Sequence, residues 1–204
     1  MGRFCTIRPA NDVAALELSM WCSALHPVIG TSGHELTKDI YASSAVRSTF
    51  SGAVGNADCV LFFGHGSETE LLGERNVAFV DGMNISLAAG KVFIAVACSS
   101  ARVLGPVAIQ NSVKSYLGFN GLLVWIHGDP NNQFQPATTI GIRRLLLGGT
   151  TGDARLKMFE AFGNAVDFYL NGTGRGTANS AIGWLAAYWD QQHLVLLGDT
   201  KAAL

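Results

Sequence analysis

The stretch ADCVLFFGHGSETELLGERNVAFVDGMNISLAAGKVFIAVACSS, residues 57–100, decides the fold. It contains two short apolar runs, Val60–Phe63 and Val92–Ala97, which are rich in β-branched or aromatic residues. Runs of this length and composition are typical of buried strands. The first run ends in Gly64-His65-Gly66 and the second in Ala97-Cys98-Ser99-Ser100, so each predicted strand ends in a side chain that can do chemistry.

The placement of these two side chains indicates a common site. Residues just past the carboxyl ends of parallel strands face the crevice in which ligands bind. If the two strands are parallel neighbours, His65 and Cys98 lie on one rim, as a cysteine nucleophile and its base require. Gly66 and Ser99 are small enough to let a substrate backbone approach closely, and the amides of Gly66 and Cys98 could stabilise an oxyanion. A lone Cys or His is more often structural, so the prediction depends on the pair.

Length and composition restrict the function classes. At 204 residues, 49% hydrophobic and 14% charged, the chain is expected to form one globular domain over residues 1–204. The net charge of −1 and the absence of a basic run argue against nucleic acid or an anionic membrane as a partner. The amino-terminal residues are too charged for a signal peptide, and no apolar run has the length of a membrane span. The four cysteines show no CxxC spacing, and we expect a cytoplasmic protein without a zinc knuckle or a disulfide framework.

The order of predicted elements is β-α-α-β-(β)-β-α-β-α-α-α-β. This order favours an α/β fold, a three-layer α-β-α sandwich with a mostly parallel central sheet. Pro27 is expected to end the first helix, and residues 67–75 are expected to form a polar loop. The predicted strands are Phe4–Arg8, Cys59–Phe63, Val77–Val80, Lys91–Ala97, Leu122–Ile126 and Leu194–Leu197. The predicted helices are Val13–Leu25, Glu35–Phe50, Arg102–Leu117, Ala137–Leu147, Asp153–Leu170 and Asn179–Trp189, with one turn at Asn84–Ala89 and with Asp12 as the cap of the first helix.

Four motifs in this order resemble a known family. ADCVLFFGHG at 57–66 and AVACSS at 95–100 are similar to the motifs of the clan CD cysteine peptidases, which have a caspase-like fold. The likeness is closest to the gingipain and CHAT-domain branch. It continues in GLLVWIHGD at 121–129 and in LLGDT at 196–200, where Thr200 replaces the usual Pro. The resemblance covers roughly residues 55–204.

The resemblance implies the caspase–hemoglobinase fold and hydrolysis of peptide bonds in a protein or peptide substrate. Cys98 would be the nucleophile, and His65 would protonate the leaving amine. In this family the two side chains need not touch in the free enzyme. The amides of Gly66 and Cys98 would form the oxyanion hole, and no metal or organic cofactor would be needed.

The residues that would select the substrate are less clearly marked. Family members that cut after a basic residue place a carboxylate at the base of the primary specificity pocket. Asp129 is the candidate for this carboxylate here. Alternatively, Asp129 and Pro130 simply open a turn. Trp125 is either a wall of that pocket or a core residue. Arg102 could bind an acidic substrate residue or lie on the surface at a helix start. His127 could support the site.

The leading hypothesis is a cysteine endopeptidase controlled by a regulatory protein partner, by maturation or by oligomerisation, with the oligomeric state left open. Two alternatives remain: a catalytically silent caspase-fold interaction module, and a small-molecule thiol hydrolase on a flavodoxin-like scaffold. Other catalytic motifs are absent. The HExxH-like start at His34 has Lys38 in place of the second His, there is no GxSxG elbow, and residues 172–176 lack the GK[ST] of a P-loop.

Overall fold

The computed structural model describes all 204 residues. Its strands are β1 (Arg3–Arg8), β2 (Glu35–Tyr41), β3 (Cys59–Phe63), β4 (Glu70–Leu72), β5 (Ala78–Asp81), β6 (Val92–Val96), β7 (Ser115–Phe119) and β8 (Leu194–Gly198). Its α-helices are α1 (Val13–Ser23), α2 (His26–Thr31), α3 (Arg47–Val54), α4 (Leu104–Gln110), α5 (Phe134–Leu146), α6 (Thr151–Leu170) and α7 (Ser180–His193). Short 3₁₀ turns lie at Ala42–Ser44, Glu74–Asn76 and Ile85–Ala88.

Six of the strands form one sheet in the order β2-β1-β3-β6-β7-β8. The first five are parallel, and β8 is antiparallel to β7 at one edge. The remaining strands, β4 and β5, form a separate antiparallel hairpin. Helices cover both faces of the sheet, which confirms the predicted α-β-α sandwich with a mostly parallel sheet.

The sheet separates two hydrophobic cores. Every residue of β3 and of β6 is buried, as expected for central parallel strands that are covered on both faces. Because side chains alternate along a strand, Leu61 and Phe63 of β3 point into the core formed with α1, α5, α6 and α7. Val60 and Phe62 point into the core formed with α3, α4 and the hairpin. The apolar runs that predicted these strands are continuous because successive residues are buried alternately in the two cores.

The helix predicted over Glu35–Phe50 is wrong. Residues 35–41 form the edge strand β2, and a helix begins only at Arg47. The register pairs Phe4 with Leu36 and Ile7 with Ile40, so pairing with β1 outweighs the local helical pattern. Pro27, expected to end the first helix, instead lies in the first turn of α2, where a missing N–H is tolerated.

The strand predicted over Leu122–Ile126 is also wrong, as is the single helix over Arg102–Leu117. The helix α4 ends at Gln110, and the third central strand is β7, whose Tyr116 stacks on Phe93 of β6 at a centroid distance of 5.4 Å. Gly118, expected to end a helix, lies inside β7. Glycine suits this position because a Cβ there would come within 3.1 Å of the Ala95 carbonyl oxygen. Residues 122–126 have no regular secondary structure.

The other elements match their predictions within a few residues. The strand predicted over Val77–Val80 is β5, and the predicted polar loop that precedes it contains β4. The three helices predicted after residue 136 are α5, α6 and α7, and the last predicted strand is β8. Asp12 caps α1 as predicted, because its Oδ1 accepts a hydrogen bond of 2.8 Å from the amide of Ala15.

One helical stretch, residues 13–31 with a mean hydropathy of 1.3, is long and apolar enough by composition to cross a membrane. It comprises α1 and α2. Leu18, Trp21 and Ile29 of this stretch are buried in the core beneath α5 and the sheet. Val13, Leu16 and Met20 of the same stretch are exposed, so packing accounts for only part of its apolar character.

We predict that Gly73→Ala destabilises the fold. A Cβ at Gly73 would overlap the carbonyl oxygen of Ala45 and lie 3.1 Å from the Cβ of Phe79, so the backbone must shift. The expected loss is about 1–3 kcal/mol of unfolding free energy in urea titrations. Gly52→Ala in α3 is the control, since nothing lies within 4 Å of its Cβ position and alanine favours helix by about 0.5–1 kcal/mol. Equal stability of the two variants would contradict the prediction.

Candidate active site

The ends of β3 and β6 meet on the rim formed by the carboxyl ends of the parallel strands. Phe63 pairs with Val96 at the last position of the ladder. Just beyond it, a Cβ on Gly66 would lie 2.9 Å from the carbonyl oxygen of Cys98. Only glycine fits there without displacing backbone. The turn that carries His65 therefore packs directly against the turn that carries Cys98.

The imidazole of His65 is held by a carboxylate. Its Nε2 lies 2.7 Å from Oδ2 of Asp12, which stands between β1 and α1. Burial opposes ionisation of Asp12, but hydrogen bonds from the Ala15 amide and from His65 outweigh it, so the pKa of Asp12 is lowered. The backbone carbonyl of His65 accepts a hydrogen bond of 2.9 Å from Leu72 in the hairpin. Asp12 therefore orients the ring of His65 through this contact.

The thiol of Cys98 is half-buried and rests on the backbone of Leu123. The Leu123 N–H donates to Sγ at 3.4 Å, and Sγ lies 3.9 Å from the Leu123 carbonyl oxygen. Burial raises the pKa of the Cys98 thiol, and the Leu123 N–H acts in the opposite direction because it favours the thiolate. No hydrogen bond joins this thiol to His65. The two side chains are thus anchored separately in this state.

Two backbone N–H groups at the junction of the turns, those of Gly66 and Cys98, donate to no backbone carbonyl. The Cys98 amide acts on its own thiol, where it favours the thiolate, and the amide of Ser99 donates to the Gly121 carbonyl at 2.7 Å. Ser99 has a left-handed φ of 54°, which bends the chain immediately after Cys98. N–H groups beside a nucleophile are what an oxyanion requires.

Residues 120–124 form a strap between Cys98 and α7. On one side, the Gly121 carbonyl binds the Ser99 amide and Leu123 contacts the thiol. On the other side, α7 makes three hydrogen bonds to the alternate residues. These are the Asn120 amide to the His193 carbonyl at 3.0 Å, Trp189 Nε1 to the Leu122 carbonyl at 2.8 Å, and the Val124 amide to Asp190 Oδ1 at 2.9 Å. The position of Leu123 against Cys98 is therefore set by α7.

Asp190 is the buried acid that holds this strap. Its Oδ1 accepts the Val124 N–H, but its Oδ2 is buried without a partner. Burial raises the pKa of Asp190 well above its usual range, although the Val124 N–H favours the ionised form. A charge on Asp190 would raise the pKa of the Cys98 thiol. A neutral Asp190 holds the strap without opposing thiolate formation.

Trp125 and His127 converge on a single carboxylate that the sequence did not indicate. The indole Nε1 of Trp125 donates to Glu17 Oε2 at 2.9 Å, and His127 Nδ1 lies 2.6 Å from the same oxygen. Trp125 is half-buried and packs edge-on against Trp21 at 5.6 Å between ring centroids. It thus has one side in the core and lies two residues beyond Leu123.

Asp129 lies deeper than a residue at an open pocket would. It is 7% exposed, and its carboxylate accepts hydrogen bonds from the Tyr169 hydroxyl and, at 3.0 Å, from the Asn131 amide. The second bond is the side-chain contact typical of a turn, so this placement matches the turn-forming alternative. Its binding of a basic substrate residue stays a prediction. Arg102 forms an exposed ion pair with Glu68 at 2.5 Å, as expected for a surface residue.

The sequence analysis did not assign three residues to the site that the structure places there. Asp12 was identified only as a helix cap, and its second oxygen binds His65. Glu17 reaches Trp125 through a contact between residues 108 apart, which no local pattern reveals. Asp190 did have a signal, since it is the only acid in the otherwise uncharged helix sequence SAIGWLAAYWDQQH. No group of three or more His, Cys, Asp or Glu residues is arranged to hold a metal ion.

We predict that Asp190 lowers the stability of the fold as pH rises. The pKa of Asp190 is raised in the folded state. Its contribution to the free energy of unfolding is therefore fully present below the unfolded-state pKa of about 3.9, and it is lost as pH rises through the folded-state pKa. Asp190→Asn keeps an acceptor for Val124 but cannot ionise. The variant should therefore gain stability relative to the wild type as pH rises from about 4 towards 8, measured by urea unfolding. Parallel pH profiles of the two proteins would contradict the assignment.

Comparison with known proteins supports the fold. No family model matches the chain, and no curated protein does. Among solved structures, the Arg-specific cysteine proteinase gingipain R superposes with a TM-score of 0.66 at 12% identity, over 99% of this chain and 47% of that one. Separase of Saccharomyces cerevisiae, solved in complex with securin, superposes with a TM-score of 0.58 at 13% identity, over 97% of this chain and 12% of that one.

This chain therefore spans about half the length of the gingipain R chain and a much smaller part of separase. At these identities the likeness concerns the fold. The order and direction of the strands, the helices on both faces and these two structures together show that this chain has the caspase-like fold of the clan CD cysteine peptidases.

Proposed function

We propose that this chain is a cysteine endopeptidase with Cys98 as nucleophile and His65 as acid and base. The observation that carries the proposal is the contact between the two turns, beside which lie a thiol, an imidazole and the N–H groups of Gly66 and Cys98, neither of which binds a backbone carbonyl. The fold shared with a structure described as a cysteine proteinase supports it.

In the first half of the reaction, the Cys98 thiolate attacks the carbonyl carbon of the scissile peptide bond. The carbonyl oxygen takes up the negative charge and accepts hydrogen bonds from the Gly66 and Cys98 amides. When the intermediate collapses, the carbon–nitrogen bond breaks and protonated His65 gives its proton to the leaving amine. A thioester between Cys98 and the amino-terminal product remains.

In the second half, a water molecule attacks the thioester and transfers a proton to His65. The carbon–sulfur bond then breaks, which releases the carboxylic acid product and restores the thiolate. Asp12, 2.7 Å from His65, holds the ring in place through both halves of the reaction. The Leu123 N–H favours the thiolate of Cys98 against the burial that raises the pKa of this thiol.

Two carboxylates are candidates for binding a basic residue at the cleaved bond. Asp129 is the residue proposed from the sequence, and like Glu17 it already contacts two donors. Glu17 is better connected to the nucleophile, because Trp125 binds it and lies two residues beyond Leu123. We place Glu17 and Trp125 at the primary specificity pocket, with Ser99 beside the nucleophile, and retain Asp129 as the alternative carboxylate.

Control by another protein completes the proposal. Separase, whose fold is similar, was solved together with securin, which makes a regulatory protein partner a reasonable model for this chain. We propose a cytosolic setting for such a peptidase.

We predict that peptidase activity depends on both Cys98 and His65. With a randomised peptide library as substrate, Cys98→Ala should abolish cleavage, and His65→Ala should reduce kcat/KM by about 10²–10⁴-fold because general acid catalysis is lost. A peptidyl electrophile should label the wild type but not Cys98→Ala, as detected by intact-protein mass spectrometry.

Cys22→Ala is the matched control, because the Cys22 thiol is buried and its pKa is raised by that burial. It should retain both labelling and cleavage. Equal labelling of the Cys98→Ala and Cys22→Ala variants would remove the peptidase assignment.

We further predict a preference for Arg or Lys on the amino side of the cleaved bond. Glu17→Gln should lower kcat/KM for such substrates by at least about tenfold, since a charged partner is lost, and should leave substrates with an uncharged residue there less affected. Asp129→Asn is the comparison. A preference that disappears only in Asp129→Asn would assign the pocket to Asp129, and a library profile without basic preference would reject both carboxylates.

A further inference from the structure

The outer face of α7 is unusually apolar. Four of its large side chains are strongly exposed, Ile182 at 64%, Leu185 at 53%, Tyr188 at 51% and Trp189 at 43%. The only acid in the helix, Asp190, is buried, and the helix contains no Lys or Arg. The opposite face packs on α6, where Gly183 lies against Tyr169. A surface helix normally presents charged residues to solvent, so an uncharged apolar face of this extent indicates a binding surface.

This face forms one side of a groove. The groove has a volume of about 600 Å³, and all the residues that line it are hydrophobic. They include Val124 from the strap together with Ile182, Trp184, Leu185, Tyr188 and Trp189 from α7. The volume is of the size that receives a ligand or large side chains. Since the walls offer no charged group, the groove favours an apolar occupant over a charged one.

The groove lies beside the strap that contacts Cys98. Val124 lines it, and the preceding residue, Leu123, contacts Cys98 Sγ through its backbone. Trp189, another lining residue, binds the strap through the Leu122 carbonyl. Consecutive residues of an extended chain are about 3.3 Å apart, so the groove begins within a few residues of Cys98, on the other side of the strap. A polypeptide at Cys98 that extends past the strap would reach the groove.

We propose that the α7 groove is the subsite for a large aliphatic or aromatic side chain of the polypeptide substrate, within about four residues of the cleaved bond. The inference rests on the proposed peptidase function and adds a substrate class to it, namely polypeptides with an apolar residue near the cleavage site. It is distinct from the Glu17–Trp125 pocket, because the groove lies on the α7 side of the strap and Glu17 lies on α1.

The test measures labelling of Cys98 by peptidyl acyloxymethyl ketones that carry Leu, Phe, Asp or Lys at the second, third or fourth residue before the reactive group. We expect the Leu and Phe probes to react about tenfold faster or more than the Asp and Lys probes at one of these positions. Leu185→Lys and Ile182→Lys should abolish that preference, because they place a charge in the groove. Labelling does not require turnover and so isolates recognition from catalysis.

Leu147→Lys and Leu156→Lys are the controls. These residues are 72% and 48% exposed and lie outside the groove, so both variants should keep the wild-type preference. An unchanged preference in the groove variants overturns the subsite while leaving the peptidase proposal intact. Failure of every peptidyl probe, with iodoacetamide still labelling Cys98, overturns both. A change of oligomeric state in the groove variants, measured by light scattering, with the preference retained would show instead an interface between copies.

Discussion

The parallel pairing of β3 with β6 is the constraint on which the site depends. Both strands are buried on both faces, and a slip of one residue would exchange the side chains of the two cores. The register therefore fixes where each strand ends, and the two following turns meet at Gly66 and Cys98. Backbone pairing places the turns but does not orient the side chains. That task falls to Asp12 for the imidazole of His65 and to the strap for the thiol.

Two aspartates beside the site illustrate how burial decides the role of an acid. Asp12 lies at the rim, receives hydrogen bonds from Ala15 and His65, and is favoured as a carboxylate despite partial burial. Asp190 is buried with a single donor and one unpaired oxygen, so its neutral form is favoured. The first supplies a carboxylate that holds the imidazole of His65. The second supplies a hydrogen-bond acceptor near Cys98, where negative charge would oppose the thiolate.

The strands β3 and β6, and the His65 and Cys98 that follow them, could be predicted because continuous apolar runs indicate burial on both faces. The edge strand β2 could not, since only Ile40 of its residues is buried and its pattern is as compatible with a helix. Residues 122–126 are apolar for a different reason: they pack between Cys98, α1 and α7 rather than within the sheet. The contacts of Glu17 and Asp190 join residues 66 or more apart, and sequence patterns over a few residues carry no such information.

The difference between backbone pairing and side-chain contacts explains how a fold can be shared at 12% identity. Strand pairing uses backbone groups that every residue provides, so many sequences preserve the rim and the two turns. Under the proposed function, recognition uses side chains on the elements around the rim, namely Glu17 on α1 and the apolar face of α7. The strap joins these two levels, because backbone atoms of Leu123 contact the thiol while its neighbours Val124 and Trp125 contribute to the groove and the Glu17 cluster.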